Sequence, residues 1–130
     1  MTFKGKILVT ILAVVTFDAL ASSLSRVFQF DYTNLVWASF LLYAVAGYWG
    51  AHRRGFIFGT VLGALAGLTD STLGLFVSTW IEPFSRTGIP PVNLPLMLIV
   101  MIAVTTIGVV FGLFGAGLCK IFGQAEPVAM

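Results

Sequence analysis

The sequence predicts an all-α integral membrane protein, an antiparallel four-helix bundle that forms a single domain over residues 1–130. Hydrophobic residues make up 58% of the chain and charged residues only 9%. A soluble domain carries about a quarter charged residues, and a small domain buries too little surface to hide this much apolar area. The apolar residues also fall into four long runs, and these runs define the four predicted helices.

The composition also excludes other classes of protein. Disordered chains are poor in apolar residues, and a disulfide scaffold needs more than the one cysteine present here. Nucleic acid is not expected as a partner, because the net charge is only +2 and there is no basic stripe. The lipid bilayer is the predicted partner, and we expect no cofactor, no metal site and no catalytic residue.

Each apolar run is long enough to cross a bilayer, which takes about 20 residues of helix. The predicted spans are residues 7–28, 34–51, 55–81 and 94–122. A polar turn separates the first two, a cationic turn the next two, and a proline-rich segment the last two. The runs are too long, and lack the alternation, for strands of a membrane barrel.

The basic residues divide unevenly between the two ends of the predicted bundle. The end with both termini and the turn between spans 2 and 3 carries five Lys or Arg residues, and the other end carries two. Because Lys- and Arg-rich loops stay in the cytoplasm, we expect both termini to be cytoplasmic. Aromatic residues near the span ends are the expected interfacial anchors: Tyr32, Trp37, Tyr48, Trp49 and Trp80.

Small residues form stripes on the last two spans. In span 3 they share an arc of roughly 80° with one carboxylate: Gly59, Gly63, Gly67, Asp70 and Gly74. In span 4 the corresponding face contains Gly108, Gly112 and Gly115. Such stripes let helices approach closely in lipid, so we predict that these glycines pack helices, either within one chain or between chains.

Two aspartates lie at membrane depth with no basic residue beside them. Asp18 is near the middle of span 1, and Asp70 lies at a similar depth in span 3. An ionised Asp at the centre of a spanning helix costs about 2.5 to 3.5 kcal/mol on insertion scales. A proton, a hydroxyl donor or a bound cation must offset this cost. The expected hydroxyl partners are Ser22, Ser25, Thr69, Ser71 and Thr72.

The first span resembles the first helix of the small multidrug resistance transporters. In that family an acidic residue precedes a hydroxyl pair and then a basic residue, as Asp18, Ser22, Ser23 and Arg26 do here. The family carries Glu at the acidic position and has no counterpart of Asp70. The resemblance extends over about 15 residues, so membership is not inferred from it.

The segment from Gly67 to Asp70 resembles the GxGD motif of intramembrane aspartyl proteases, with Thr69 in place of the second glycine. The resemblance implies Asp18 as the second catalytic carboxylate. Those enzymes have more than four spans, so proteolysis is the weakest of the functions considered.

Three functions remain open on the sequence alone. The favoured one is an ion- or proton-coupled carrier or channel for a cationic solute, with Asp18 and Asp70 as the coupling site. Carboxylates inside a membrane are costly and usually mark a functional site. The alternative is a packing or accessory subunit of a larger membrane complex, and the third is the protease. A carrier of only four helices is expected to work as a homo-oligomer.

Overall fold

The computed structural model describes residues 2–52, 54–81 and 93–123, and it contains no strand within these ranges. The helices are α1 (Phe3–Phe28), α2 (Val36–Ala51), α3 (Phe56–Ile81) and α4 (Leu94–Phe122). Three of them, α1, α3 and α4, are long and apolar enough to cross a membrane. The all-helical prediction is therefore confirmed. The proline-rich segment predicted between spans 3 and 4 lies outside the described residues.

The second predicted span is shorter as an α-helix than expected. A 3-10 turn occupies Tyr32–Leu35 because the Asp31 carboxylate accepts hydrogen bonds from the backbone and the hydroxyl of Thr33, at 3.1 and 2.9 Å. The α-helix that follows has 16 residues, and at 1.5 Å per residue it is about 24 Å long. It falls short of the length that a straight crossing requires.

Side-chain caps start α1 and α4 where the sequence changes from polar to apolar. The Thr2 hydroxyl accepts a hydrogen bond from the Gly5 amide at 3.1 Å, and the Asn93 side chain accepts one from the Leu96 amide at 2.9 Å. Such caps satisfy amides that have no partner within the helix. Gln29, with φ of 57°, ends α1 in a left-handed conformation.

The predicted glycine stripes pack α2, α3 and α4 against one another within the chain. A methyl group on Gly108 would stand 3.0 Å from the Cα of Gly67, and one on Gly112 would stand 2.8 Å from the Cα of Gly63. Gly59 is enclosed in the same way by Ala116. The sequence left open whether the glycine faces pack within one chain or between chains. For these glycines, the faces are covered by the same chain.

The remaining glycines of the two stripes have different neighbours. Gly115 lies against the backbone of Ala44 in α2, whereas Gly74 lies against the carboxyl groups of Asp18 and Asp70 rather than against a helix backbone. Gly74 was predicted to pack helices, but its close neighbours are these two carboxyl groups.

The buried core lies where α2, α3 and α4 meet, and Val14 of α1 extends it. Tyr43, Leu62 and Ala66 are fully enclosed, and the rings of Phe40 and Phe111 stack with centroids 4.9 Å apart. These side chains fill the space on either side of the glycine contacts and fix how the three helices are arranged.

Helix α1 packs along α3 and makes few contacts with α2. A basic side chain near each of its ends binds the carboxyl end of another helix. The Lys6 ammonium donates to the carbonyls of Trp49 and His52 at 2.8 and 2.9 Å, and the Arg26 guanidinium donates to the carbonyl of Ile81 at 2.9 Å. Cations are favoured there because the last carbonyls of a helix have no internal partner and carry partial negative charge.

A π-helical turn, Asp70–Gly74, interrupts α3 between Phe56–Thr69 and Leu75–Ile81. At its end the Leu75 amide reaches back to the Asp70 carbonyl, one residue further than in an α-helix. Single π turns inside α-helices are frequent at functional sites. Here the turn coincides with the only carboxylate of α3.

Candidate functional site

Asp18 and Asp70 meet at the α1–α3 contact, on either side of Gly74. A methyl group on Gly74 would stand 2.8 Å from the carboxyl carbon of Asp18 and 3.1 Å from Asp70 Oδ1. Both carboxyl groups therefore lie against the same small space at Gly74. The two aspartates predicted at similar depths therefore form one pair in a single site, and Gly74 provides the space for it.

Asp18 is the enclosed member of the pair, with no exposed surface. Its Oδ1 accepts a long hydrogen bond, 3.4 Å, from the Tyr32 hydroxyl. Its Oδ2 is buried and has no hydrogen-bond donor among the described residues, apart from the donor that a protonated Asp70 would supply. An ionised carboxylate can only accept, so a hydrogen bond between these two groups requires a proton on one of them.

A short chain of hydroxyl groups extends from Asp18 along the α1–α3 contact. Ser78 Oγ lies 3.1 Å from the Tyr32 hydroxyl, to which it can donate because the Tyr32 proton is directed at Asp18, and it accepts from Ser22 Oγ at 3.1 Å. Burial is the main cause that raises the pKa of Tyr32 to about 12, and the nearby carboxylates act in the same direction. Tyr32 therefore keeps its proton at neutral pH and serves as a hydrogen-bond donor to Asp18.

Asp70 is the accessible member of the pair. Its Oδ2 accepts a hydrogen bond from the hydroxyl of Tyr43, whose side chain is fully buried in the core of α2, α3 and α4. The carboxyl group also lines a cavity of about 370 Å³ between the 3-10 turn, α2 and α4. Asp18 is not among the residues that line this cavity, so a solute in it would meet Asp70 first.

The cavity is lined by aromatic, aliphatic and hydroxyl side chains and by a single charged group. Val104 and Ile107 of α4 form one side, and the remaining wall includes Tyr32, Phe40 and Tyr43. A carboxylate close to aromatic rings is a favourable place for a cation to bind, because the faces of aromatic rings also attract positive charge. Within the described residues there is no cluster of three or more His, Cys, Asp or Glu side chains that could hold a metal ion.

Most of the hydroxyl groups predicted to support the carboxylates donate elsewhere. Thr69 Oγ1 donates to the Leu65 carbonyl, and both Ser71 Oγ and Thr72 Oγ1 donate to the Leu68 carbonyl. Ser and Thr side chains in helices commonly bond to the preceding turn in this way. These three hydroxyl groups bond to the backbone just before the π turn, and their protons are not directed at Asp70.

The two serines of α1 differ from each other. Ser25 Oγ donates to the Phe30 carbonyl at 2.7 Å and so belongs to the turn after α1. Ser22 is fully buried and joins the hydroxyl chain through Ser78. Of the five predicted hydroxyl partners, only Ser22 is thus brought into this network, and it is linked to Asp18 through Ser78 and Tyr32.

Three residues of the site were not predicted as such: Tyr32, Tyr43 and Ser78. Tyr32 was predicted to be an interfacial anchor, but its hydroxyl group lies inside the protein beside Asp18. Tyr43 lies within the same apolar run as Ala44 and Gly47. Its position could have indicated a site residue, because a buried phenol usually has a hydrogen-bond partner.

Comparison with known proteins gives no match: no protein-family model, no curated protein and no solved structure matches this chain. The fold therefore identifies a helical protein in which three helices are long and apolar enough to cross a membrane.

Proposed function

We propose that this protein is a multi-pass membrane carrier that exchanges a monovalent cationic solute for protons, with Asp18 and Asp70 as the coupling site. The proposal includes four spans in an antiparallel bundle and cytoplasmic termini. The observation that carries it is the unequal access of the two carboxyl groups: Asp70 lines the cavity, whereas Asp18, which lies against the same Gly74, has no exposed surface.

The packing on the two sides of the pair favours a carrier over a channel. On the side predicted to be cytoplasmic, the backbones of α3 and α4 are in direct contact at Gly67 and Gly108 and again at Gly63 and Gly112. On the other side, the cavity extends from the 3-10 turn to Asp70. Access from one side only is what a carrier requires in one of its two states.

The cavity also favours an organic cation over a bare alkali ion. Its volume of about 370 Å³ is an order of magnitude larger than the roughly 30 Å³ share of one water molecule. Besides the hydroxyl side chains of Thr33 and Ser39, its walls include the rings of Tyr32, Phe40 and Tyr43, which suit the apolar body of an organic cation. A monovalent cation with an aromatic or alkyl body would place its charge at Asp70 and its body against Phe40 and Tyr43.

Transport into liposomes tests the function directly. The purified protein is reconstituted with an acidic interior, and uptake of radiolabelled benzyltrimethylammonium, Na⁺ or K⁺ is followed. We expect uptake of the organic cation, driven by the pH difference and abolished by Asp70→Asn. The matched control is Asp31→Asn, because Asn can replace Asp as a cap, and this variant is expected to transport normally.

The alternative of an accessory subunit makes the opposite prediction. A protein that only packs within a larger complex would show no uptake of any probe, and Asp70→Asn would change nothing. The glycine faces that made this alternative attractive are occupied within the chain. An oligomer remains part of the proposal, and its interface would have to use other surfaces.

Intramembrane proteolysis is less well supported by the same geometry. An aspartyl protease needs both carboxyl groups within reach of one attacking water molecule and a substrate peptide. Asp18 has no exposed surface, so a peptide in the cavity would have access to Asp70 alone.

A further inference from the structure

The two carboxyl groups of the pair are unequal in their access to solute. Asp18 has no exposed surface, its Oδ2 has no hydrogen-bond partner among the described residues, and Gly74 lies directly against it. Asp70 lines the cavity. A cation that enters the cavity can therefore contact Asp70, and it reaches Asp18 only through Asp70.

Within residues 2–52, 54–81 and 93–123, no fixed positive charge lies beside the pair. The titratable groups that face it are Tyr32 from the 3-10 turn and Tyr43 from α2, and both are hydrogen-bond donors. On α1, Arg26 is about 12 Å further along the helix axis and donates to Ile81. Helix α4 has no titratable side chain between Leu94 and Leu118.

The charges that the pair can hold follow from this arrangement. Two carboxyl groups that share one small buried space repel each other strongly when both are ionised, so the pair keeps one proton, which leaves a single negative charge. In a setting of low dielectric constant this charge needs a positive partner. The partner can be a second proton or one monovalent cation at Asp70, but not both, since either neutralises the pair.

We propose that the pair retains one proton on Asp18 throughout and exchanges a second proton on Asp70 for one monovalent cation, so that transport is electroneutral. In the proton-loaded state both carboxyl groups are protonated. In the cation-loaded state Asp18 keeps its proton and donates a hydrogen bond to the ionised Asp70, which binds the cation. Conversion of the first state to the second releases one proton for each cation bound, and the net charge of the site does not change. This inference rests on the proposed carrier function.

The first test is the pH dependence of binding. The dissociation constant of benzyltrimethylammonium for the wild-type protein in detergent is measured between about pH 5 and pH 9. Competition with one proton predicts that the affinity falls up to tenfold for each unit by which the pH is lowered, and never more steeply. An affinity independent of pH over the whole range, or a slope that approaches a hundredfold per unit, would overturn the proposal.

The second test separates the roles of the two aspartates. An Asn at position 18 can donate a hydrogen bond to Asp70 as a protonated Asp18 does. We therefore expect Asp18→Asn to bind the cation with the same pH slope as the wild type, and Asp70→Asn to lose binding. Loss of the pH slope in a folded, monodisperse Asp18→Asn protein contradicts the assignment. If this variant does not fold, the proposal is tested by the pH slope of wild-type binding and by the dependence of uptake on the membrane potential.

The third test uses the membrane potential. In liposomes with valinomycin and a K⁺ gradient, an electroneutral exchange takes up benzyltrimethylammonium at a rate that the potential does not change. Uptake driven by the potential would overturn the one-for-one exchange while leaving the carrier function in place. If the wild type neither binds nor transports any of the probes, the carrier function itself fails, and this inference fails with it.

Discussion

Gly74 lies so close to Asp18 that a methyl group added to Gly74 would overlap Asp18 Oδ2. The absence of a side chain at this position is what allows the carboxyl groups of α1 and α3 to approach each other. The relationship ties the contact of the two helices to the proposed chemistry, because any side chain here would force the pair apart.

Gly74→Ala should therefore separate the pair without removing an ionisable group. We expect a loss of about 1 to 3 kcal/mol in stability from overpacking and a weaker affinity for the cation. Thermal unfolding in detergent and cation binding measure the two effects. Gly117→Ala is the matched control, since no neighbour lies within 4 Å of the added methyl group, and Ala there should stabilise the helix by about 1 kcal/mol. Equal behaviour of the two variants would contradict the role of Gly74.

Gly63→Ala tests the packing of α3 on α4. The added methyl group would collide with the backbone of Gly112, which cannot move aside as a flexible side chain can. We expect a loss of about 1 to 3 kcal/mol in stability, again compared with Gly117→Ala. Because the contact is within the chain, the loss should not depend on protein concentration. A loss seen only at concentrations where the protein associates would place the contact between chains instead.

Lys6→Met tests the binding of α1 to the end of α2. The variant keeps an apolar chain of similar length but removes the ammonium group that donates to the Trp49 and His52 carbonyls. Since hydrogen bonds to charged groups contribute about 1.5 to 3 kcal/mol, we expect a loss of about 2 kcal/mol in thermal or denaturant unfolding. Lys4→Met, at an exposed position of the same helix, should change stability little. A similar loss in both variants would indicate a general effect of charge.

Tyr43→Phe tests the support of Asp70. The variant preserves the buried ring and removes the hydroxyl group that donates to Asp70 Oδ2. Without this donor the ionised carboxylate is less stabilised, so protons compete more strongly and the affinity for a cation at neutral pH should fall by about tenfold, the equivalent of about 1.4 kcal/mol. Isothermal titration measures the affinity. Tyr48→Phe, at a half-exposed position of the same helix, is expected to bind like the wild type.

Tyr32 should titrate at a higher pH than an ordinary tyrosine. Its pKa is raised from 10.0 to about 12, mainly by burial. Since the unfolded chain then loses the proton first, the stability that Tyr32 contributes is complete below pH 10 and falls as the pH rises from 10 towards 12. The ultraviolet difference between wild type and Tyr32→Phe should show a tyrosinate signal with a midpoint well above 10. A midpoint at 10 would place the hydroxyl group in water.

The sequence by itself determined the helical class, the approximate limits of the helices and the pair of aspartates. These features depend on local properties: the lengths of the apolar runs, the prolines and caps between them, and the cost of a carboxylate among apolar residues. The glycine stripes also predicted where helices would approach closely, because glycine at four-residue spacing leaves one helix face without side chains.

Only the tertiary structure decided which groups meet. The sequence placed Asp18 and Asp70 at similar depths, but their contact depends on how α1 is rotated against α3 and on the π turn that ends at Gly74. Tyr32 and Tyr43 join the site from the 3-10 turn and from α2. Both are far from at least one of the aspartates along the chain, so no local sequence pattern predicts that they meet. Hydroxyl groups beside Asp70 in sequence turned to the carbonyls of their own helix, because that acceptor lies one turn away and costs no rearrangement.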